Sequence, residues 1–333
     1  MLKKTLMAAV LAAGALSATA ASAEEMKEVN FGIISTESSA NLKSTWQPFL
    51  DAMQQQTGLK INAFFAPDYA GVIDGMRFDK VQVAWFGNKS AMEAVDRAGG
   101  EVFAQTVDNE GNPGYWSLLV THKDSPLNSV EDVLKCDGSL NFGIGDPNST
   151  SGFLVPTTYI FAKNNVEPAK CFKTVRNANH EANALAAANK QVDVATNNTE
   201  NMRRLETTNP EAFKNLKVIW QSPLIPSDPL VWRKELDADA KSKIYTFVMT
   251  YGRIGTPEEV AEARKVLDAL QWAPFRPSSD AQLYPIRILD LNKSMLKVRG
   301  DEKMSDDEKK AKLAELQQQA DEISKLADTI PGM

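Results

Sequence analysis

Histidine and cysteine are scarce in this sequence, which contains two of each: His122 and His180, and Cys136 and Cys171. These four residues lack the close spacing of a zinc site. They also leave few options for a catalytic base, and the hydroxyl-rich residues 148–152 lack the Gly-x-Ser-x-Gly pattern of a serine hydrolase. The sequence therefore argues against a metal site and against an enzyme, and we expect no cofactor.

Long apolar runs are absent outside the N-terminal region, so no stretch approaches the roughly 18 uncharged apolar residues of a membrane span. Residues 1–23 contain Lys3 and Lys4, a short apolar core at 6–16, and the small-residue ending Ala-Ser-Ala at 21–23. This pattern predicts a cleavable secretory signal, with no cysteine at the cleavage point to carry a lipid. We expect an exported protein.

A basic excess is also missing, because the chain has 43 acidic and 37 basic residues. This balance disfavours nucleic acid and anionic membranes as partners. A chain of 333 residues exceeds the usual single core of about 100–200 residues, so two lobes are the default expectation.

Two cysteines do not make a disulfide framework, but in an oxidising compartment Cys136 and Cys171 have two outcomes. If neighbouring strands bring them together, a bridge would stabilise the fold by on the order of 3–4 kcal/mol in the chain-entropy model. The alternative is two separate buried thiols.

Short apolar runs alternate with longer periodic ones along most of the chain, which predicts mostly parallel α/β sheets. A first series predicts strands at 29–34, 59–65, 81–86 and 102–106 and helices at 42–55, 71–78 and 89–96. A second series predicts strands at 140–145, 173–175, 192–195 and 218–220.

Three prolines between residues 222 and 229 indicate a return crossing between the lobes rather than an element. Two crossings imply two hinge strands. We place lobe one at about 24–120 plus 225–290 and lobe two at about 121–224, with a ligand cleft between them.

The tail, residues 291–333, differs in kind. Ser305 and Glu308 form a capping-box pattern, and apolar residues follow at the spacing of an amphipathic helix. This C-terminal amphipathic helix either packs on its own lobe or makes a homodimer contact.

Residues 142–153 (FGIGDPNSTSGF) combine an apolar strand, a turn and three consecutive hydroxyl residues. Asn148 stands where a dinucleotide-binding fingerprint has its third glycine, so that interpretation fails. Free N–H groups in the first turn of a helix, the helix dipole and the hydroxyls of Ser149, Thr150 and Ser151 together suit a tetrahedral oxyanion. We predict an anion site there.

Other polar residues also follow predicted strands or turns, where open α/β sheets bind ligands. They include Tyr69 after the strand at 59–65, Tyr115 after a glycine turn, His180, and Glu200 after the strand at 192–195. Each of these residues also has an ordinary surface or capping role available to it.

Several runs, in this order, closely resemble the phosphonate-binding proteins of ABC-type phosphonate importers: 63–71 (AFFAPDYAG), 92–98 (MEAVDRA), 113–117 (PGYWS), 145–156 (GDPNSTSGFLVP), 193–201 (DVATNNTEN) and 272–275 (WAPF). The resemblance covers nearly the whole chain after residue 23. It implies a periplasmic, two-lobed type II solute-binding fold with two hinge strands, which delivers ligand to an inner-membrane ABC permease.

Carried over position by position, the resemblance implies two groups of ligand-binding residues. The phosphonate-binding group is Tyr69, Ser149, Thr150, Ser151 and His180. The amine-binding group is Tyr115, Glu200 and Asp228.

Two carboxylates would repel a second anion, so Glu200 and Asp228 predict a cation at the far end of the ligand, as in 2-aminoethylphosphonate. The alternatives are a binder of phosphate, phosphite or another small oxyanion, and a partner of a sensor rather than of a permease.

Overall fold

The computed structural model describes residues 27–329, and the predicted signal at 1–23 lies outside them. The described residues form three sheets of six, five and two strands. The strands are β1 (Glu28–Ile33), β2 (Lys60–Phe65), β3 (Val83–Trp85), β4 (Gly100–Asp108), β5 (Gly114–Tyr115), β6 (Ser117–His122), β7 (Asn141–Ile144), β8 (Thr174–Asn177), β9 (Val194–Asn198), β10 (Leu216–Gln221), β11 (Ile225–Pro226), β12 (Pro229–Arg233) and β13 (Trp272–Pro277).

Helices cover the sheets. They are α1 (Ser39–Thr57), α2 (Tyr69–Arg77), α3 (Asn88–Arg97), α4 (Val130–Val133), α5 (Pro168–Cys171), α6 (His180–Ala188), α7 (Thr199–Thr208), α8 (Pro210–Lys214), α9 (Ala238–Thr250), α10 (Pro257–Ala269), α11 (Tyr284–Gly300) and α12 (Asp306–Asp328). None of the helices within residues 27–329 has the length and apolar character needed to cross a membrane.

The two large sheets are mixed, whereas the sequence predicted mostly parallel ones. Strand order is β13-β4-β12-β3-β1-β2 in the larger sheet and β10-β6-β9-β7-β8 in the smaller one. β1 pairs in parallel with β2 and β3, and β7 with β8 and β9. The strands that follow the crossings, β6 and β12, run antiparallel to their neighbours. A strand that arrives from the other lobe enters its sheet from the hinge end, so its direction is reversed.

The hinge contains an element that the sequence analysis missed. Residues 225–226, expected to be only a crossing, form β11 and pair antiparallel with β5. Gly114 permits the close approach, because a Cβ atom there would lie 2.1 Å from the Ile225 carbonyl oxygen. The two crossings are therefore tied to each other as a two-stranded ribbon.

Two of the predicted boundaries fall inside elements of the structure. The division between residues 120 and 121 cuts β6, and the division between 290 and 291 cuts α11. The hinge ribbon, rather than residue 120, separates the sheets, so the second α/β unit begins with β6.

Each sheet has its own apolar core. In the larger unit Trp46 of α1 contacts Phe31, Phe49 and Trp85, at ring-centroid distances of 5.5, 6.0 and 5.4 Å. In the smaller unit Phe142 packs against Phe161 and other residues near the disulfide between Cys136 and Cys171, whose sulfur atoms are 2.01 Å apart. The bridge that the sequence left open is thus present in this structure.

The capping box at Ser305 is confirmed: the Ser305 N–H donates to Glu308 Oε2 at 2.8 Å, and the Glu308 N–H donates to Ser305 Oγ at 3.3 Å. The helix α12 packs on α11 of the same chain and buries Leu316 and Ala320. This is the first of the two roles expected for the tail. The homodimer contact stays a prediction.

Candidate functional site

One cavity between the two α/β units brings together all eight side chains that the sequence analysis selected. Its volume in this closed structure is about 20 Å³, so a ligand larger than one or two waters enters only when the units separate or the lining side chains move. The selected residues that line it are Tyr69, Tyr115, Ser149, Thr150, Ser151, His180, Glu200 and Asp228. These residues lie at strand ends, at helix starts and in the hinge. The predicted cleft is therefore at the edge of the sheets where open α/β folds bind ligands.

The three hydroxyl residues form a cradle, defined here as Ser149, Thr150 and Ser151, after the end of β7. Ser149 is the N-cap of a π-helical turn over Thr150–Leu154. The Gly145 N–H donates to the Gly152 carbonyl at 2.9 Å, and a Cβ atom on Gly145 would lie 2.6 Å from Gly152 Cα. Only glycine fits this approach, which folds the loop back onto the first turn.

Each cradle hydroxyl accepts a hydrogen bond from an N–H group of the protein. The Gly152 N–H donates to Ser149 Oγ at 3.0 Å, and the Lys89 N–H donates to Thr150 Oγ1 at 2.8 Å. Ser151 Oγ accepts from Asn198 Nδ2 at 3.0 Å. All three cradle residues are 2% exposed.

His180 lies at the first position of α6 and faces the cradle. Its Nε2 is 3.4 Å from both Ser149 Oγ and Ser151 Oγ, and 3.3 Å from Asn198 Nδ2. Burial, and secondarily the charge of Arg204, lowers the pKa of His180 to about 4. The buried Nδ1 has no partner within the described residues, so no carboxylate orients this imidazole as a catalytic triad requires.

Tyr69 approaches the cradle from the other unit. It is the first residue of α2, and its N–H donates to Asp146 Oδ2 at 3.2 Å, across the cleft. Burial, followed by the negative charge of Asp146, raises the pKa of its hydroxyl, while a hydrogen bond with Ser149 acts in the opposite sense. The phenol therefore stays protonated and adds a hydroxyl to the cradle end of the cavity.

The hinge supplies Tyr115, on β5, and Asp228, between β11 and β12. The Tyr115 hydroxyl donates to Asp228 Oδ1 at 2.9 Å, and Asn88 Nδ2 approaches the same oxygen at 3.3 Å. Burial, and then the charge of Glu200, raises the pKa of Asp228 well above its ordinary value. An acidic group is thus kept at the hinge with two donors, and no cationic side chain pairs with it among residues 27–329.

Glu200 is the second acid. It lies in the first turn of α7, where acidic residues are favoured, and is partly accessible. Burial of its carboxyl raises its pKa, and the positive charge of Arg204 partly counters this. Glu200 and Asp228 come from different units and meet at the cavity, which makes that end of it electronegative.

Sequence analysis missed several cavity residues. Glu37 and Arg204 form an ion pair, Oε1 to Nε, at 2.7 Å across the cleft. Asn198 Nδ2 donates to Ser151 Oγ, and Trp85 packs against Trp46 in the core and also lines the cavity. No local pattern reveals the ion pair, because its members lie in different units and far apart in sequence.

Unpartnered buried polar atoms concentrate around the cavity. Thr36 Oγ1, Trp85 Nε1 and Asn201 Oδ1 have no hydrogen-bond partner within residues 27–329, and all three residues line it. Buried polar groups are otherwise almost always satisfied. The arrangement therefore suits a small polar ligand that supplies the missing partners.

Polar contacts outside the cavity hold the two units in a closed arrangement. Glu181 of α6 accepts from the Ser38 N–H at 2.8 Å and from Asn41 Nδ2 at 2.6 Å, at the start of α1. Arg203 Nη2 lies 2.7 Å from Asp108 Oδ2. Among the described residues no group of three or more His, Cys, Asp or Glu could hold a metal ion.

Comparison with known proteins gives consistent matches. Residues 31–283 match the family model described as the periplasmic substrate-binding protein of a phosphonate ABC transporter. The phosphonates-binding periplasmic protein of Escherichia coli (strain K12) is 59% identical over 310 residues, which is 93% of this chain and 90% of that protein.

Two solved structures are similar as well. The binding protein component of an ABC phosphonate transporter from Pseudomonas aeruginosa has a TM-score of 0.87 and 58% identity, over 90% of this chain and 98% of that one. A Prochlorococcus marinus (MIT 9301) protein in complex with methylphosphonate has a TM-score of 0.70 over 80% and 99% of the two chains. At 21% identity, the second match concerns the fold alone. The two-lobed fold expected from the sequence is confirmed.

Proposed function

The chain belongs to the periplasmic substrate-binding proteins of ABC-type phosphonate transporters, and from that premise we propose that its preferred ligand is 2-aminoethylphosphonate. Members of this family bind a phosphonate and work with a membrane permease, and they are not enzymes. The proposal concerns the identity of the ligand and the roles of the eight cavity residues.

The phosphonate end is assigned to the cradle, Tyr69 and His180. A phosphonate presents three acceptor oxygens, and these side chains offer hydroxyl and imidazole donors at one end of a small buried cavity. Hydrogen bonds to a charged oxygen are shorter and stronger than neutral ones. This end therefore binds the anion without a lysine or arginine.

The observation that supports an amine most directly is the presence of two carboxyl groups, Glu200 and Asp228, at the same cavity. A buried carboxylate is costly unless a cation or several donors compensate it. Asp228 has two donors, and Arg204 is already paired with Glu37, so an ammonium group bound between the acids would supply the missing charge. Tyr115 orients Asp228 toward that position.

Small symmetric anions fit this arrangement less well. Phosphate or phosphite would occupy the cradle and leave both acids without a cation, so the two carboxyl groups would contribute nothing to affinity. Phosphate and phosphite are therefore the controls against which the proposal is tested.

Capture and delivery follow from the two units. The ligand contacts one unit first and then bridges both, which shifts the open–closed equilibrium toward the closed form. Contacts such as Arg203–Asp108 and Glu181–Asn41 form only when the units approach. We infer that the permease recognises this closed form.

Isothermal titration calorimetry of the purified protein with 2-aminoethylphosphonate, methylphosphonate and phosphate tests the proposal. Glu200→Gln and Asp228→Asn should each lower the affinity for 2-aminoethylphosphonate by about 30-fold or more, which is the range for removing one partner of a buried charge pair. The affinity for methylphosphonate should change by less than about threefold, because this ligand has no ammonium group for the two acids to bind.

Glu206→Gln is the matched control, since Glu206 is an exposed acid on the same helix as Glu200. It should leave both affinities unchanged. Equal losses of affinity for 2-aminoethylphosphonate and methylphosphonate in the Glu200 and Asp228 variants would contradict the amine assignment. If the wild-type protein bound phosphate more tightly than 2-aminoethylphosphonate, phosphate would be the preferred ligand and the proposal would be wrong.

A further inference from the structure

The hydrogen-bond directions in the cradle carry an inference about the form of the ligand. Every nitrogen that contacts the three hydroxyl oxygens in the protein, apart from His180 Nε2, is an N–H donor: the backbone of Lys89 and Gly152, and Asn198 Nδ2. An N–H group can only donate, so each hydroxyl oxygen accepts. The hydrogens of Thr150 and Ser151 are then available to a ligand, and that of Ser149 is shared with the Tyr69 hydroxyl.

The orientation of Asn198 is fixed by a second contact. Its Oδ1 accepts from the Asn201 N–H at 2.7 Å as the N-cap of α7. Because the oxygen of the amide is occupied by the helix, the Nδ2 group must face Ser151 and His180. A swapped amide would lose the cap, so Ser151 Oγ is held as an acceptor from this side.

Closure completes the cradle. Ser149 and Ser151 are oriented by Gly152 and Asn198 of their own unit, whereas Thr150 is oriented by the Lys89 N–H from α3 of the other unit. The third donor is therefore set only when the units approach each other.

We propose that the cradle selects phosphonates in their doubly deprotonated form, and that Asn198 is a positioning residue for this selection. A dianionic phosphonate has three acceptor oxygens and no hydrogen on oxygen. A monoanion has one P–OH group, which needs an acceptor where the cradle offers donors. The inference rests on the proposed placement of the phosphonate end in the cradle.

Several charged or titratable groups surround the cradle and enter the pH dependence. They are Tyr69 on α2, His180 on α6, Asp146 before the cradle, Glu200 and Arg204 on α7, Asp228 at the hinge and Glu37 before α1. Within residues 27–329 two acceptors lie near the cradle hydroxyls: His180 Nε2, 3.4 Å from Ser149 Oγ and from Ser151 Oγ, and the Tyr69 hydroxyl oxygen beside Ser149. His180 stays neutral at pH 5 and above, because burial lowers its pKa to about 4, so proton uptake by this imidazole does not enter the pH dependence.

Calorimetry with methylphosphonate and methanesulfonate separates hydrogen bonding from charge. Methylphosphonate, which has no amine, should lose affinity about tenfold per pH unit below its second pKa. At a pH where methylphosphonate is a monoanion, methanesulfonate has the same charge and shape but no hydrogen on oxygen. We expect it to bind at least threefold more tightly there. Equal or weaker binding of methanesulfonate would assign the selection to charge and overturn the proposal.

Asn198→Asp tests the positioning residue. Aspartate preserves the size and the α7 cap but replaces the donor to Ser151 by an acceptor. Methylphosphonate affinity should fall by about tenfold or more at pH 8, while at pH 5 the variant should bind the monoanion at least as tightly as the wild-type protein does. Weaker binding at both pH values would indicate charge repulsion alone and would contradict the inference.

Asn209→Asp is the matched control, because Asn209 caps α8 in the same way through the Ala212 N–H but does not line the cavity. It should not alter either affinity. Failure of the wild-type protein to bind methylphosphonate at pH 8 would count against the placement of the phosphonate end, whereas equal binding at pH 8 and pH 5 would overturn only the selection of the dianion.

Discussion

The two ends of the cavity differ in charge and in how their polar groups are satisfied. The cradle end consists of neutral donors that are already hydrogen-bonded to the protein, and the hinge end contains the acids Glu200 and Asp228, whose burial raises their pKa values. Neutral hydroxyls cost little to hold in an empty site. Buried carboxyl groups are costly until a cation arrives. We infer that the cradle end supplies the affinity common to all phosphonates and that the hinge end supplies discrimination among them.

The largest effect is expected from breaking the cradle end. In Gly145→Ala the new Cβ would lie 2.6 Å from the Gly152 backbone, which cannot move without displacing the hydroxyls. Loss of two charge-assisted hydrogen bonds, at about 1.5–3 kcal/mol each, predicts at least 100-fold weaker binding of 2-aminoethylphosphonate and methylphosphonate alike, measured by calorimetry.

Gly300→Ala is the control for that change, because a Cβ atom there meets only Asn165, at an ordinary distance of 3.4 Å. A Gly145 variant that loses only one of the two ligands would contradict the division of roles between the ends.

The hinge end should give the second largest effect, through pH. Its acids have raised pKa values, so they are protonated and neutral at low pH and ionise as the pH rises, whereas a primary ammonium, with a pKa near 10, stays charged. The affinity ratio of 2-aminoethylphosphonate to methylphosphonate should therefore increase by about tenfold or more between pH 5 and pH 8. Each affinity is first divided by the fraction of that ligand in its dianionic form, because the ammonium group of 2-aminoethylphosphonate lowers the second pKa of its phosphonate. A constant ratio would mean that the acids do not contact the amine.

Closure should affect both ends equally and more weakly. Arg203 pairs with Asp108 and Glu110 across the cleft but does not line the cavity. Arg203→Gln should lower the affinity for both phosphonates by about fivefold, because it destabilises the closed form by ~1 kcal/mol. The ratio of the two affinities should not change. In the control Lys170→Gln, which removes an exposed pair with Glu167 in one unit, neither affinity should change. A changed ratio in the Arg203 variant would show that it acts on the ligand directly.

The smallest effect is expected on the thermal stability of the ligand-free protein, when the charge of Asp228 is removed. The raised pKa of Asp228 means that the folded protein binds its proton more tightly than the unfolded chain. Stability is therefore lost as pH rises from the unfolded pKa through the folded one. Asp228→Asn should raise the ligand-free Tm by about 2–4 °C at pH 8 and by little near pH 4, measured by calorimetric scanning. A lower Tm at pH 8 would mean that the acid stabilises the empty site.

Much of the fold was predictable from local patterns, and the errors have physical causes. The predicted strand at 140–145 corresponds to β7 and the predicted helix at 42–55 to α1, because burial imposes its periodicity on the sequence. β11 was missed since two residues carry no period. The expectation of mostly parallel sheets was wrong, because the directions of β6 and β12 depend on the hinge crossings. The alternation of short and long apolar runs in the sequence does not encode those crossings.

For the site, the hydroxyl-rich loop and the acids could be found in the sequence, and long runs resembling the phosphonate-binding family indicated the class of ligand. Which side chains contact each other across the cavity depends on the tertiary structure. The Glu37–Arg204 pair, the Lys89 N–H at Thr150 and the amide of Asn198 at Ser151 join residues far apart in the chain. The first two contacts form only when two separately folded units close on each other, whereas the third depends on the pairing of β7 with β9 in one sheet. No local propensity or spacing records either arrangement.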